Sequence, residues 1–269
     1  VNAQIDRSQP KPGPAPKVNL GKPQTFELKN GLKVMVVENH KLPRVTATLS
    51  LDNPPFVEGN KKGIDDLTGS LVGNGTSKIT KEKFQEEVDF MGARVNFSSS
   101  GASATTLSRY FPRVLELMAT GSTDPNFTQA DFDKEVARFL DGLKSEEKSV
   151  AANAQRVENV LVFGKNHPSG EFTTEEKLKG LSLADVKAHY ANHFIPNNAY
   201  LIILGDVKFK EVKKLVEKNF NNWKKGTLPT TNYEAPKALS KAEINFVDMP
   251  NAVQSEIALM NTVNLKLTD

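Results

Sequence analysis

Several absences narrow the classes of protein that this 269-residue sequence can encode. It contains no cysteine, which excludes disulfide bonds and thiolate metal ligands and fits an exported protein. No apolar run approaches the roughly 18 residues that a membrane-spanning helix needs. The 35 basic residues nearly balance the 32 acidic ones, and no basic stripe is interleaved with aromatic residues. This balance argues against a nucleic-acid-binding protein.

The first residues predict a segment without a packed fold. Residues 1–22 are polar and proline-rich, and proline removes the backbone donors that a packed segment needs. We interpret them as a leader or linker. The start, Val1-Asn2-Ala3, has the small-x-small pattern of a signal cleavage site, although a chain trimmed at its ends fits equally well. With the missing cysteine, this pattern predicts a periplasmic or cell-envelope location.

The body of the chain, residues 23–237, alternates strand-like and helix-like patterns. Apolar residues two apart flank Asn30-Gly31, which predicts a β-hairpin, and VTATLSL predicts a third strand. Capping residues open several amphipathic segments further on. We therefore expect an α+β domain, with a mixed, largely antiparallel sheet and helices packed on one face. Residues 238–269 are interpreted as the start of a second, truncated domain, with strands in EINFVDM and QSEIALM.

Six segments occur in an order that resembles the insulinase/pitrilysin family of zinc metallopeptidases, especially the branch of mitochondrial processing peptidase. The first segment is GIDDLTGSLVGNGT, in which Gly63 and the later Gly75-Thr76 form a glycine frame. The other segments are NGLKVMVVENHKLP, FMGARVNFSSS, the turn NHPSG, NNAYLIILGDV and AVQSEIALM. The resemblance covers residues 23–269 and implies the fold of a metallopeptidase domain.

The residues that carry the chemistry of that family are missing. Its active members have an H-x-x-E-H helix, in which two imidazoles bind zinc and the glutamate activates water. The glycine frame assigns these positions to Asp66, Gly69 and Ser70, and the distal acid to residues 141–147. Glycine cannot act as a base and serine is a poor zinc ligand. We expect no catalytic residue, no metal and no cofactor here, and predict that Asp66→His, Gly69→Glu and Ser70→His together would restore zinc binding if the backbone still matches.

The resemblance also implies a partner. One chain of the two-chain branch carries zinc and the other is degenerate, so we expect a zinc-bearing partner chain of the same family. The strand containing Asn96 and Phe97 corresponds to the edge that adds a substrate peptide as an extra strand. The expected function is therefore that of a zinc-less subunit that shapes the chamber and binds peptide or unfolded polypeptide. The alternative is a scaffold or peptide-binding envelope protein without a proteolytic partner.

Two other possible sites are weaker. His189 and His193 are four residues apart on one predicted helix, as in a zinc pair, and Asp66 is a conceivable third ligand. No glutamate lies between them, so we interpret them as partly exposed histidines near a helix C-terminus. The serines of SSSGAS, residues 98–103, lack the G-x-S-x-G pattern of a nucleophile elbow and predict a strand of small residues.

Overall fold

A computed structural model describes Gly13 and residues 22–230, 232–237, 239–250 and 252–262. The predicted leader, residues 1–22, lies outside the described residues except for Gly13 and Lys22. The predicted boundaries at residues 23 and 238 stay predictions.

Six strands and eight α-helices make up the part of the chain that the structure describes. The strands are β1 (Gln24–Glu27), β2 (Lys33–Glu38), β3 (Arg44–Leu51), β4 (Arg94–Ser98), β5 (Gly101–Leu107) and β6 (Ala199–Gly205). The helices are α1 (Ile64–Leu71), α2 (Lys81–Phe90), α3 (Phe111–Thr123), α4 (Gln129–Glu146), α5 (Val150–Phe163), α6 (Glu175–Lys179), α7 (Leu183–His193) and α8 (Phe209–Phe220).

Local sequence signals account for most of the element boundaries. The hairpin between β1 and β2 turns at Gly31, whose φ of 87° lies in the left-handed region that favours glycine. Five helices begin after a Ser or Thr whose hydroxyl accepts a backbone N–H of the first turn: Thr80, Thr128, Ser149, Thr174 and Ser182. The helix starts predicted at FTTEEKL and SLADV are therefore those observed.

All six strands form one sheet in the order β1-β2-β6-β3-β5-β4. Strand β6 pairs in parallel with β2 and antiparallel with β3, and the remaining pairs are antiparallel. The sheet is thus mixed and largely antiparallel, as predicted. Strand β4 lies at one edge, with the helix α1 nearby.

One face of the sheet is buried beneath helices and the other is open. Val36, Leu49 and Ile203 on the covered face are almost completely buried, together with residues of α3 and α8. On the opposite face, Ile202 and Leu204 are exposed. This arrangement confirms the predicted α+β fold class with helices on one face.

The segment after α8 differs from the prediction. In its described part, EINFVDM and QSEIALM form no strand, and most of their apolar side chains are exposed. Strands need backbone partners and a face to cover them, and neither is present for these residues. Within the described ranges, no helix is long and apolar enough to cross a membrane.

Candidate functional site

The helix α1, which contains the motif positions, begins in a buried network of charges. Its N-cap, Gly63, has a φ of 105°, and the Glu58 carboxylate accepts hydrogen bonds from the backbone N–H of Gly63 (2.9 Å) and Asp65 (3.1 Å). This anion satisfies the free donors at the helix start. Lys62 pairs with the same carboxylate at 2.5 Å.

A second acid, distant in sequence, completes this network. The Glu171 side chain is almost fully buried and accepts from the backbone N–H of Glu58 and of Gly59, both at 2.9 Å. Burial favours a lower pKa for Lys62, but the hydrogen bond and charge of Glu58, with the charges of Glu171 and Asp66, raise the pKa overall. The network therefore holds the entry of α1 in one conformation.

Asp66, the first motif position, lies beside a cavity of about 530 Å³. Burial and the nearby charge of Glu58 raise the pKa of its carboxyl above the usual range. Glu146, from the region predicted for the distal acid, lines the same cavity. Asp141 from that region is instead exposed and pairs with Lys144 at 3.6 Å. The fold thus brings Asp66 and Glu146 to one cavity, and their assignment to motif positions stays a prediction.

Gly69 stands at the base position, and backbone of the turn between β4 and β5 occupies the space where a side chain at this position would lie. A Cβ atom added here would lie 2.4 Å from the Ser99 nitrogen and 3.1 Å from the Ser98 carbonyl carbon. Such an approach excludes any side chain unless the turn moves. Ser70, the second ligand position, donates its hydroxyl hydrogen bond to the Leu67 carbonyl at 2.9 Å.

These residues do not fit the zinc ion that the family implies. Gly69 supplies no group, and the Ser70 hydroxyl is satisfied within its own helix. The part of the chain that the structure describes contains no cluster of three or more His, Asp or Glu residues suited to a metal. The restoration prediction stays a prediction, and it requires the turn at Ser99 to move, because a Cβ at Gly69 would lie 2.4 Å from the Ser99 nitrogen. If the turn stays in place, the triple variant should disturb packing rather than bind zinc.

The sequence suggested that the two histidines of α7 are partly exposed, but the structure buries both. His189 and His193 are both about 8% exposed, and their rings stack with centroids 4.0 Å apart. Phe56 stacks on His193 at 4.7 Å. The prediction failed because α7 packs its polar side against α1 rather than against solvent.

Asp65, and not its neighbour Asp66, is the acid that contacts this pair. Its Oδ1 lies 3.0 Å from His189 Nε2. Burial favours a higher pKa for Asp65, but hydrogen bonds from His189 and Ser99 outweigh burial and lower it. Burial lowers the pKa of His193 and favours the neutral ring, whose Nδ1 contacts the His189 carbonyl at 2.9 Å. The contacts among Asp65, His189, His193 and Ser99 therefore join α1, α7 and the β4–β5 turn, and we interpret them as structural.

Asn96 and Phe97, the predicted peptide-binding residues, face opposite sides of the edge strand β4. Asn96 is exposed, whereas Phe97 points into the core against Phe84, with ring centroids 5.9 Å apart. Its ring lies so close to Gly73 and Gly121 that no Cβ would fit at either glycine. Any contribution of Phe97 to peptide binding would therefore come from its backbone.

Sequence reasoning missed Asp65, Glu58 and Glu171. For Asp65 a signal existed, because consecutive residues of a helix point about 100° apart, so only one of the adjacent acids can face a given neighbour. No local signal identifies Glu58 and Glu171, which are 113 residues apart in sequence. Only the tertiary fold brings them together.

The chain is similar to known peptidases and to their inactive homologues. A family model described as the peptidase M16 inactive domain matches residues 180–264. The beta subunit of the mitochondrial-processing peptidase of Blastocladiella emersonii is 22% identical over 249 residues, covering 89% of this chain and 53% of that protein. The non-peptidase homolog YmxG of Helicobacter pylori is 23% identical, over 71% of this chain and 46% of its own length. The chain spans about half the length of these relatives.

Solved structures share the fold. A protease from Helicobacter pylori superposes with a TM-score of 0.72 at 22% identity, covering 81% of this chain and 55% of that one. The periplasmic protease PqqL from Escherichia coli gives a TM-score of 0.66 at 17% identity, covering 83% and 26% respectively. The family match and the sequence relatives support the resemblance to the M16, insulinase-like, peptidases, and these structures show that the chain has the fold of their domains.

Proposed function

We propose that this chain is a non-catalytic subunit of a two-chain peptidase, in which a zinc-bearing partner of the same family carries H-x-x-E-H. The observation that carries the proposal is the packing at Gly69, where turn backbone occupies the space that a catalytic glutamate would need. The match to an inactive-domain model and the similarity to a non-peptidase homolog support it. Zinc would then be bound by the partner alone.

The proposed contribution of this chain is to help shape the chamber and to bind peptide or unfolded polypeptide along β4. That strand pairs with β5 on one side only, and no other described strand pairs with its second side. An extended peptide can add to such an edge through backbone hydrogen bonds. Asn96 is exposed beside this edge and can hydrogen-bond a peptide.

A periplasmic or envelope location is part of the proposal. The structural neighbour PqqL is described as periplasmic, and the sequence has no cysteine. The similarity to a non-peptidase homolog also favours a second candidate function, a scaffold or peptide-binding envelope protein without a proteolytic partner.

The test of the partner is a mild affinity purification of the full-length protein from its own cells, with bound chains identified by mass spectrometry. We expect a stoichiometric partner that contains H-x-x-E-H, and chelator-sensitive proteolysis by the pair. Purification without such a partner would favour the scaffold. Chelator-sensitive proteolysis by this chain alone would contradict both candidates.

The test of peptide binding compares Asn96→Ala with Ser103→Ala. Ser103 is the cross-strand neighbour of Asn96 on β5, one strand further from the edge. Loss of one hydrogen bond, worth about 1 kcal/mol, weakens binding about fivefold. We expect this loss for an extended fluorescent peptide with Asn96→Ala only. Equal affinities of both variants and the unchanged protein would show that the Asn96 side chain does not contact peptide.

A further inference from the structure

The last helix of the domain carries a concentrated positive charge that makes few contacts within the fold. Residues 208–225 contain seven lysines and two glutamates, a net charge of +5, whereas the whole chain carries +3. The rest of the chain is therefore slightly acidic, with a net charge of −2. All seven lysines are exposed.

The charges of α8 form a stripe on its solvent side. Lys210, Lys214 and Lys218 follow one another at intervals of four residues, so their side chains lie along one face. Lys213 lies beside them, with its ammonium 5.7 Å from the centre of the Phe26 ring. The opposite face, with Val212, Val216 and Phe220, is buried in the core. The packing of the helix thus holds the stripe towards solvent.

Further lysines extend this surface at both ends of α8. The Asn30 side chain donates to the Phe220 and Trp223 carbonyls at 2.7 and 3.1 Å, which places the exposed Lys29 near the C-terminal end of the helix. Lys224 and Lys225 follow directly. We call the exposed lysines at 29, 210, 213, 214, 218, 224 and 225 the α8 basic surface.

The stripe opposes the stability of its own helix. Like charges four residues apart repel, and a lysine in the first turn interacts unfavourably with the positive end of the helix dipole. The one ion pair along α8 among the described residues, Lys208 with Glu211 at 3.7 Å, joins two exposed side chains and leaves the stripe without an acidic partner. The stripe destabilises its helix and gains no ion pair within the fold that would offset this effect, which indicates a role in binding.

The composition of the surface indicates its partner. It contains no arginine, the residue suited to bidentate recognition of discrete phosphates, and no exposed large apolar side chain that would anchor a protein. It is a convex helix face rather than a groove. Lysines act as point charges and suit the continuous negative surface of a bilayer. We propose that the α8 basic surface binds anionic lipid headgroups and holds the domain against a membrane surface, without insertion.

The test is co-sedimentation of the chain with phosphatidylcholine vesicles that either contain or lack phosphatidylglycerol. We expect binding only to the anionic vesicles, and its loss at about 0.5 M salt, where charges are screened. Each lysine near such a surface contributes about a fivefold factor in affinity. The variant Lys210→Gln, Lys214→Gln, Lys218→Gln should therefore bind more weakly by a factor on the order of a hundred.

Two control variants distinguish an effect of the α8 basic surface on vesicle binding from effects of total charge and of misfolding. The variant Lys83→Gln, Lys134→Gln, Lys187→Gln removes three exposed lysines from α2, α4 and α7 and should bind like the unchanged chain. The variant with Lys210, Lys214 and Lys218 each replaced by arginine keeps the charge and should also bind. Equal losses in the two glutamine variants would overturn the proposal, as would absence of binding to anionic vesicles or equal binding to soluble polyglutamate. This inference stands or falls independently of a peptidase partner.

Discussion

Helices α1 and α8 both lie among many charged residues, but α1 is surrounded by buried charges and α8 carries exposed ones. Glu58, Lys62 and Glu171 hold the start of α1, and Asp65 joins it to His189 of α7. In α8, Lys210, Lys214 and Lys218 have no such role in the fold. Charges around the motif helix thus serve folding, whereas charges on α8 are available for binding. Substitutions in the two regions should therefore differ most in their effect on stability.

The largest expected effect comes from Glu58→Ala. It leaves Lys62 and two backbone donors at the start of α1 without their carboxylate, and breaking a buried pair on one side costs about 3 kcal/mol. Urea unfolding would measure this loss. The matched change on α8 is Glu211→Ala, which removes an exposed pair and should change stability by less than about 0.5 kcal/mol. Equal effects at the two sites would contradict the comparison.

Gly69→Ala should have the next largest effect. The new methyl group would meet the Ser99 nitrogen at 2.4 Å, and such overpacking costs about 1 to 3 kcal/mol. Gly142→Ala is the control, because Gly142 lies within α4 with nothing within 4 Å of an added Cβ. Removing an exposed helix glycine should stabilise the protein by up to about 1 kcal/mol. A Gly69→Ala protein with raised thermal stability would refute the close packing of α1.

A smaller effect concerns pH. Burial lowers the pKa of His193 in the folded state, whereas in the unfolded chain this histidine has the ordinary pKa of about 6.5. Near that pH the unfolded state therefore binds more protons than the folded state, and stability falls as the pH drops through this range. His193→Gln should flatten the pH dependence of the unfolding free energy between about pH 7 and 5.

The exposed His40 provides a control of opposite sign. Its hydrogen bond to Asp206 raises its pKa, so its contribution is present at acidic pH and is lost as the pH rises through the folded pKa. His40→Gln should therefore steepen the loss of stability on the acidic side. If both variants changed the pH dependence of the unfolding free energy in the same direction, burial of His193 would not lower its pKa.

The smallest expected effect is on the stability of the α8 variant. Replacing Lys210, Lys214 and Lys218 with glutamine relieves like-charge repulsion, so the free energy of unfolding should stay within about 0.5 kcal/mol of the unchanged chain or rise slightly. Thermal unfolding would measure it. A clear destabilisation would mean that the stripe belongs to the fold, which would contradict the distinction drawn between α1 and α8.

Much of the fold was predictable because its signals are local. Alternation identified β2 and β3, and the hydroxyl caps in FTTEEKL and SLADV identified the starts of α6 and α7, where Thr174 and Ser182 cap the helices. The two strands predicted after residue 238 were wrong, because alternation indicates a strand only where partner strands exist.

The candidate site was predictable only in part. The glycine frame assigned Asp66 to a motif position and the distal acid to residues 141–147, and Asp66 and Glu146 line one cavity, but the assignment itself stays a prediction. The sequence did not show why position 69 is glycine, because the cause is the turn at Ser99, thirty residues further along the chain. Burial of His189 was missed for the same reason, since its partner Asp65 lies on a different helix.

The position of β6 has a consequence for the order in which the chain can fold during synthesis. Strands β2 and β3 are nearly adjacent in sequence, but they do not pair with each other, because β6 lies between them. Their facing edges therefore stay unsatisfied until residues 199–205 have left the ribosome. Sheets completed by such distant segments form slowly and expose unpaired edges meanwhile. We therefore expect the nascent domain to be prone to aggregation until β6 has been synthesised.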